Sequence, residues 1–246
     1  MSAVIQALLR AGGNLFEPRI LAVLLLLLLP VLGSFVLWAI LTWVFWDTWT
    51  GFVSAMLGST MVAGWLQNWS AVWIIDYTAV LAVLIAVLPA MLVTALVITE
   101  IVAMPVIVRF VADRYYPALG HGFGGSVAGS IANAVVAIVI FAVLWIVTLP
   151  LWLTGFGAVL APVLTSAWLN QRLFRYDALA DHASREEFSD VVRTSRHELF
   201  LLGVLLSLLL YVPLVNLAVP VLAGLAFTHF GLGRLAMLRQ SKIPLI

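Results

Sequence analysis

From Ile20 to Trp46 no charge interrupts an apolar run that includes Leu24 to Leu29. A helix rises about 1.5 Å per residue, so about 20 apolar residues cross a hydrocarbon core of about 30 Å. The pattern therefore predicts a first membrane span over 20–46. A second begins at Tyr77, runs uncharged to Thr99, and is expected to continue past Glu100 to Val108, giving 77–108. Between the two, Trp49, Trp65, Trp69 and Trp73 accompany Gln67 and Asn68. Clustered tryptophans beside amides predict a segment lying at the membrane interface.

The second half is patterned differently. The stretch 127–169 is uncharged but carries Pro150, Gly155, Gly157 and Pro162, and 199–233 is uncharged but carries Pro213, Asn216 and Pro220. In the latter, the legs Leu199 to Val212 and Val221 to Gly233 each cover only about 20 Å. Such legs predict hairpins that enter and leave by one side; the alternative is full crossings kinked by proline and glycine. Turns at membrane depth are tolerated only when buried in protein or lining a wet cavity. The two breaks also resemble each other: Thr154-Gly155-Phe156-Gly157 leads to Ala161-Pro162, and Val212-Pro213-Leu214-Val215-Asn216 leads to Val219-Pro220. Paired interruptions of this kind mark transport pathways, which makes Thr154, Gly155, Gly157, Pro162, Pro213, Asn216 and Pro220 candidate pathway residues. The expected fold is an all-α integral membrane protein, one domain over 1–246. It has two long transmembrane helices and two partly penetrating helical hairpins, joined by a cytoplasmic connection over 170–198.

Composition narrows the function. Hydrophobic residues make up 64% and charged ones 9%, against about 25% charged in soluble domains. There is no cysteine, which excludes disulfides, thiolate catalysis and Cys-ligated zinc. The four histidines lack paired ligand spacing, Gly122-Phe123-Gly124-Gly125 lacks the lysine and strand of a phosphate cradle, and no Ser/His/Asp arrangement is legible. No enzyme, metal or cofactor is therefore expected, and a net charge of +1 gives no reason to expect nucleic acid. The start of the chain reads as a retained first span and not a cleaved signal.

The cations give an orientation. Arg10 and Arg19 precede the first span, Arg109 and Arg114 follow the second, and the other eight lie between or after the hairpins. The segment 47–76 has none. Lys and Arg favour the cytoplasm, so both termini are expected inside. Among these cations Arg19 follows Pro18, a residue suited to the first helical turn. The free N–H groups there could hold an anion beside Arg19; the plainer reading is an arginine meeting lipid phosphate. Arg193 and Arg196 could form a basic vestibule on the otherwise mixed-charge connection. There Ser184-Arg185-Glu186-Glu187 has capping-box spacing. Glu100, with Arg109, Asp113 and Arg114 beyond it, reads as an interfacial charge network in preference to a substrate site.

With the hairpins read, the sequence resembles the CysZ-type sulfate permeases and the etoposide-induced membrane proteins. The residues that carry this are Thr154-Gly155-Phe156-Gly157 through Ala161-Pro162-Val163-Leu164, then Ser166-Ala167-Trp168, Arg193-Thr194-Ser195-Arg196 and Tyr211-Val212-Pro213-Leu214-Val215-Asn216. Ala103-Met104-Pro105 with Ala112-Asp113-Arg114 looks like the end of that family's second long helix. The resemblance implies a homo-oligomer in the bacterial inner membrane that takes up sulfate or a related inorganic anion. Sulfate-type members place adjacent arginines at the start of the first long helix; Glu17-Pro18-Arg19 stands here instead. That departure keeps a second function open, a non-transporting membrane scaffold or assembly factor on the same fold.

Overall fold

A computed structural model describes residues 2–68, 71–120 and 127–242; His121, Gly122 to Gly125 and Trp69 lie outside them, as do the side chains of Trp65, Gln67 and Glu100. The described residues form eleven α-helices and one short 3-10 turn: α1 (Ser2–Asn14), α2 (Pro18–Val44), α3 (Trp46–Gly58), α4 (Met61–Asn68), α5 (Trp73–Val102), α6 (Met104–Tyr115), the turn Pro117–Leu119, α7 (Val127–Trp152), α8 (Gly157–Ala180), α9 (Arg185–Thr194), α10 (Arg196–Leu209) and α11 (Val215–Ser241). They contain no strand. Among the described residues, four stretches are long and apolar enough to cross a membrane: Pro18–Val44, Trp73–Ala95, Gly129–Trp152 and Val215–Ser241. The chain is an all-helical membrane protein.

Two helix ends differ from the sequence pattern. The helix of the second span stops at Val102, and the stretch to Val108 belongs to α6, which carries Pro105 in its first turn. Proline has no N–H to donate back and crowds the preceding turn, so α5 ends here. Conversely Pro220, read as a break, lies inside α11, and the second leg of that hairpin is one helix of 27 residues. The turn sits earlier, at 210–214 between α10 and α11.

The chain divides into two compact units, Met1–Leu28 with Val97–Ile246, and Leu29–Leu96. In the first, α8 packs on α7 and α10, and α11 packs on α1, α6, α8 and α10. Along α1 the buried residues Val4, Ala7, Ala11 and Asn14 make one stripe, the i, i+3, i+7 recurrence of an amphipathic helix. Phe174 and Phe227 stack at 6.0 Å between α8 and α11. Gly203 sets the α8–α10 approach: a Cβ there would stand 2.6 Å from the Ala167 carbonyl oxygen. Small residues let backbones close up where lipid offers no hydrophobic drive between helices. α11 is mostly buried in this unit, whereas α7 leaves most of its apolar surface uncovered.

In the second unit α3 packs on α4, and side-chain bonds link α2 to α5 and α3 to α5. Trp38 Nε1 donates to Thr94 Oγ1 at 3.1 Å, Ser54 Oγ donates to Asp76 at 3.3 Å, and Phe45 stacks on Trp49 at 6.2 Å. The tryptophan-rich segment is thus two short helices, α3 and α4, of 13 and 8 residues. Neither approaches the length of a span. An apolar groove of about 430 Å³ opens among Trp38, Trp49, Phe52, Ala82, Ala86 and Ala90.

Candidate functional site

The first hairpin turn is built by the residues the sequence singled out. Thr154 Oγ1 donates to the Leu151 carbonyl at 2.7 Å and accepts the N–H of Gly157 at 3.0 Å. Gly155 adopts φ +69°, and a Cβ on Gly157 would lie 1.9 Å from the Leu151 oxygen. Two glycines are therefore required by the fold: one for its backbone angle, one for its lack of a side chain. Leu153 is 91% exposed and Phe156 74%, so the tip is apolar as well as tight. Pro162 lies inside α8.

The second turn, 210–214, reaches a similar result with other residues. Leu214 takes φ +67°, a left-handed conformation that costs a branched residue about 1–2 kcal/mol. Its side chain is 84% exposed beside Tyr211 and Val212. Pro213 lies in the turn, and the Asn216 N–H donates to Val212 at 3.1 Å. Several backbone N–H groups of the two turns find local acceptors: Thr154 to Leu151 and Gly155 to Trp152 in one, Tyr211 to Leu208 and Val212 to Leu209 in the other.

Behind the tips, α8 carries a buried polar stripe. Thr165, Ser166, Asn170 and Gln171 are all buried, and Asn170 Nδ2 donates to the fully buried Ser207 of α10 at 3.4 Å. Asn170 Oδ1 has no partner among the described residues. One turn on, Asn133 of α7 donates to the Arg172 carbonyl at 3.2 Å, and Ser130 donates to Asp177 at 3.0 Å. Arg172 lies over the Trp168 ring at 5.9 Å, with its Nε buried and unpartnered. Arg175 donates to Gln171 at 3.2 Å. Arg175 stands on the polar last turns of α8, beyond its apolar stretch; burial, and then the neighbouring charge of Arg172, lower its pKa. Sequence reasoning passed over these two arginines as loop cations. Their spacing of three on one helix, with no acid at i±3 or i±4 of either, was the available signal.

Around the charged ends of the helices the ion pairs are specific. Ser184 and Glu187 form the expected capping box, with bonds of 3.2 and 2.9 Å. The Glu187 carboxylate also takes a two-point contact from Arg239 at 2.8 and 3.0 Å. The bonds from Arg239 hold its pKa down to about 2 against the cost of burial, with the Ser184 N–H assisting. Arg239 further donates to the carbonyls of Leu119 and His182 at 2.5 and 2.7 Å. One guanidinium thus ties α11 to α9, to the 3-10 turn and to the end of α8. Nearby Arg234 pairs with Glu198. A pocket of about 230 Å³ adjoins this end, lined by Tyr176, Ser184, Arg185 and Phe188 among others.

The cations expected to receive an anion are dispersed. Arg19 is exposed in the first turn of α2. Arg193 is engaged with Asp190 at 3.3 Å, and Arg196 donates to His197 at 3.1 Å. Of the expected charge network, only part falls among the described side chains. Glu100 lies outside the described side chains, Arg109 and Asp113 are exposed without ion pairs among the described residues, and Arg114 pairs with Glu17 at 3.0 Å. Arg114 is drawn there by its place at the end of α6, where it also lies over the rings of Phe110 and Tyr115.

A buried junction that sequence reasoning missed lies close to that ion pair. Asn14 Nδ2 donates to Nε2 of His229 at 2.8 Å, and Tyr115 donates to Asn14 Oδ1 at 2.7 Å. The Tyr116 hydroxyl donates to the His229 carbonyl at 3.2 Å and receives a bond from Arg10 at 3.3 Å. His229 is 3% exposed and its Nδ1 has no partner among the described residues. A lone histidine in an apolar helix gave no signal that α1 and α6 would close over it.

Apolar helices of spanning length, apolar hairpin tips and a polar stripe behind them define a multi-helix integral membrane protein. Within that class, residues 7–220 match the family described as sulfate transporter CysZ/etoposide-induced protein 2.4, and the chain belongs to it. No curated protein and no solved structure matches the chain.

Proposed function

We propose that the protein is a permease or channel for sulfate or a related inorganic anion, working as a homo-oligomer in the bacterial inner membrane. The observation that carries this is the family match, which covers 7–220, from α1 through the first hairpin and the turn of the second to the first residues of α11. The family is one of transporters, and the reading assigns no catalysis. Both termini are cytoplasmic, on the strength of the one-sided distribution of Lys and Arg. In this reading α2 and α5 are the two long spans, while α7–α8 and α10–α11 are partly penetrating hairpins. Arg196 stands about 20 Å from the end of α10, and Arg172 about 23 Å from the start of α8. Those depths fall short of a core of about 30 Å. The length of α11 beyond the reach of α10 then belongs to the charged cytoplasmic end, where Arg234 and Arg239 find Glu198 and Glu187.

Arg19 is the proposed first anion contact, beside the N-terminus of α2, with Arg193 and Arg196 steering anions towards it. A helix start supplies about half a positive charge, and a guanidinium adds paired donors to a tetrahedral oxyanion. Labelled-sulfate flux in proteoliposomes is the test. Arg19→Ala is expected to reduce it strongly and Arg19→Lys to restore it in part. Charge removal at Arg193 or Arg196 gives a milder, salt-dependent loss. The solitary Arg19, where sulfate-type members carry adjacent arginines, favours one second reading: a scaffold or assembly factor on this fold. Absent flux for sulfate and for other oxyanions in well-incorporated protein decides for that reading.

A further inference from the structure

Arg172 and Arg175 differ from the protein's other part-buried cations. Arg234 and Arg239 each hold a carboxylate, Glu198 and Glu187. Arg172 and Arg175 have no carboxylate partner among the described residues, yet neither is fully exposed. The Arg172 guanidinium makes no hydrogen bond there, its Nε is buried without a partner, and Arg175 bonds only the Gln171 side chain on its own helix. Two guanidiniums this close repel each other, and partial burial weakens the screening that water would supply. The Trp168 ring under Arg172 and residual solvent offset part of this cost, and an anion between the charges would remove the rest. Nothing on α7 supplies that anion: the facing residues are Asn133 and Ser130, and the nearby Asp177 is bonded by Ser130.

We propose that Arg172 and Arg175, with Gln171 bonded to the latter, form a binding site for a tetrahedral oxyanion of the sulfate or phosphate type at the polar end of the α7–α8 hairpin. It rests on the anion-permease reading above, and places the ligand behind a hairpin tip, well away in sequence from Arg19. Arginine suits this ligand because its planar donors bond two oxygens at once. The oxyanion can be a free inorganic ion or the phosphate of a lipid headgroup, since both present the same oxygens.

The test uses the purified full chain and reads the thermal shift produced by sulfate at constant ionic strength, with chloride as the control. An anion that binds the folded state alone raises the unfolding temperature as its concentration rises. The wild type is expected to respond to sulfate, and R172Q/R175Q to need about tenfold more, the loss that follows from removing charge-assisted bonds. R172K/R175K recovers part of the response. Without sulfate the glutamine variant is expected to be no less stable than the wild type, because an unpaired partly buried charge has been removed. Should it fail to fold, R172Q and R175Q singly give the same comparison. A response to phosphatidylglycerol but not to sulfate, again lost in the variant, supports the site and identifies a headgroup as its source. Equal responses of wild type and variants to both ligands overturn the site. Flux separates this from the permease reading. A wild type that binds sulfate through these arginines but conducts none keeps the site and removes the permease. A wild type that conducts, with variants that bind and conduct equally well, does the reverse.

Discussion

At the scale of single residues, the chain spends its few special positions on close approach and on buried polar contacts. Gly155 and Gly157 are two residues apart in sequence but fail differently when changed. Gly155→Ala puts a Cβ on a left-handed backbone with open space around it, a cost of about 1–2 kcal/mol. Gly157→Ala drives a methyl onto the Leu151 carbonyl oxygen, and the turn must reopen to admit it. Thermal unfolding in detergent is expected to rank wild type above Gly155→Ala, and Gly155→Ala above Gly157→Ala; the reverse order of the two variants would show that this turn is looser than its geometry. Asn14→Ala acts by another route. It leaves the buried Nε2 of His229 and the Tyr115 hydroxyl each short of a partner, which costs about 1–3 kcal/mol per buried group. Asn14→Ala should therefore lower the unfolding temperature and loosen α1, seen as faster amide exchange over 2–14. Unchanged exchange there would mean that Val4, Ala7 and Ala11 hold α1 without the polar contacts.

At the scale of elements, what the sequence made legible depended on whether the signal was local. The capping box at Ser184 and Glu187 was legible because both partners sit within one turn. The first hairpin was legible because a turn through φ +69° asks for glycine, and Gly155 is there. The second was misplaced because its left-handed residue is Leu214, a type with no turn signature, while Pro220 passes inside α11. Prolines 30, 89, 150 and 162 likewise lie inside helices, whereas Pro18, Pro105 and Pro117 stand at helix starts and Pro213 in a turn. Which proline ends a helix is settled by tertiary packing that no local pattern records. The Arg239 contacts were illegible for the same reason, since they join residues 119, 182, 187 and 239. They also carry a pH dependence. Glu187 has its pKa lowered from 4.5 to about 2. Its contribution is present in full above its unfolded value and is lost as pH falls from about 4.5 towards 2. Unfolding temperature is expected to fall across that window in the wild type, and Glu187→Gln should start lower and fall less. If the two proteins titrate in parallel, the pH dependence belongs to other carboxylates.

At the scale of the whole molecule, the decisive quantity is how deep the hairpin tips reach. α10 has 14 residues and begins at Arg196, so an arginine held at the cytoplasmic surface puts the 210–214 turn about 20 Å inside. In the proposed arrangement, a tip at that depth stays short of the far aqueous phase. Its composition agrees: Tyr211, Val212 and Leu214 are exposed, and the N–H groups of Leu210, Tyr211 and Val212 are satisfied by the last carbonyls of α10. Full crossing would require Arg196 or its neighbours to be drawn into the core, at about 2.5–3.5 kcal/mol for each charge at the centre. The chain has no cysteine, so Asn216→Cys gives a single reporter at the exposed start of α11. With both termini inside, an impermeant thiol reagent added from the periplasmic face is expected to leave Cys-substituted protein unlabelled. A cysteine at residue 60, in the cation-free segment between α3 and α4, should label readily from that face. The same pair of positions reads orientation, because protomers inserted in both directions would label residue 60 from both sides. Strong periplasmic labelling at 216 would mean that α10 crosses despite its length and that Arg196 is carried into the membrane. The oxyanion site at Arg172 and Arg175 would then have to be sought at a different depth from the one assigned to it.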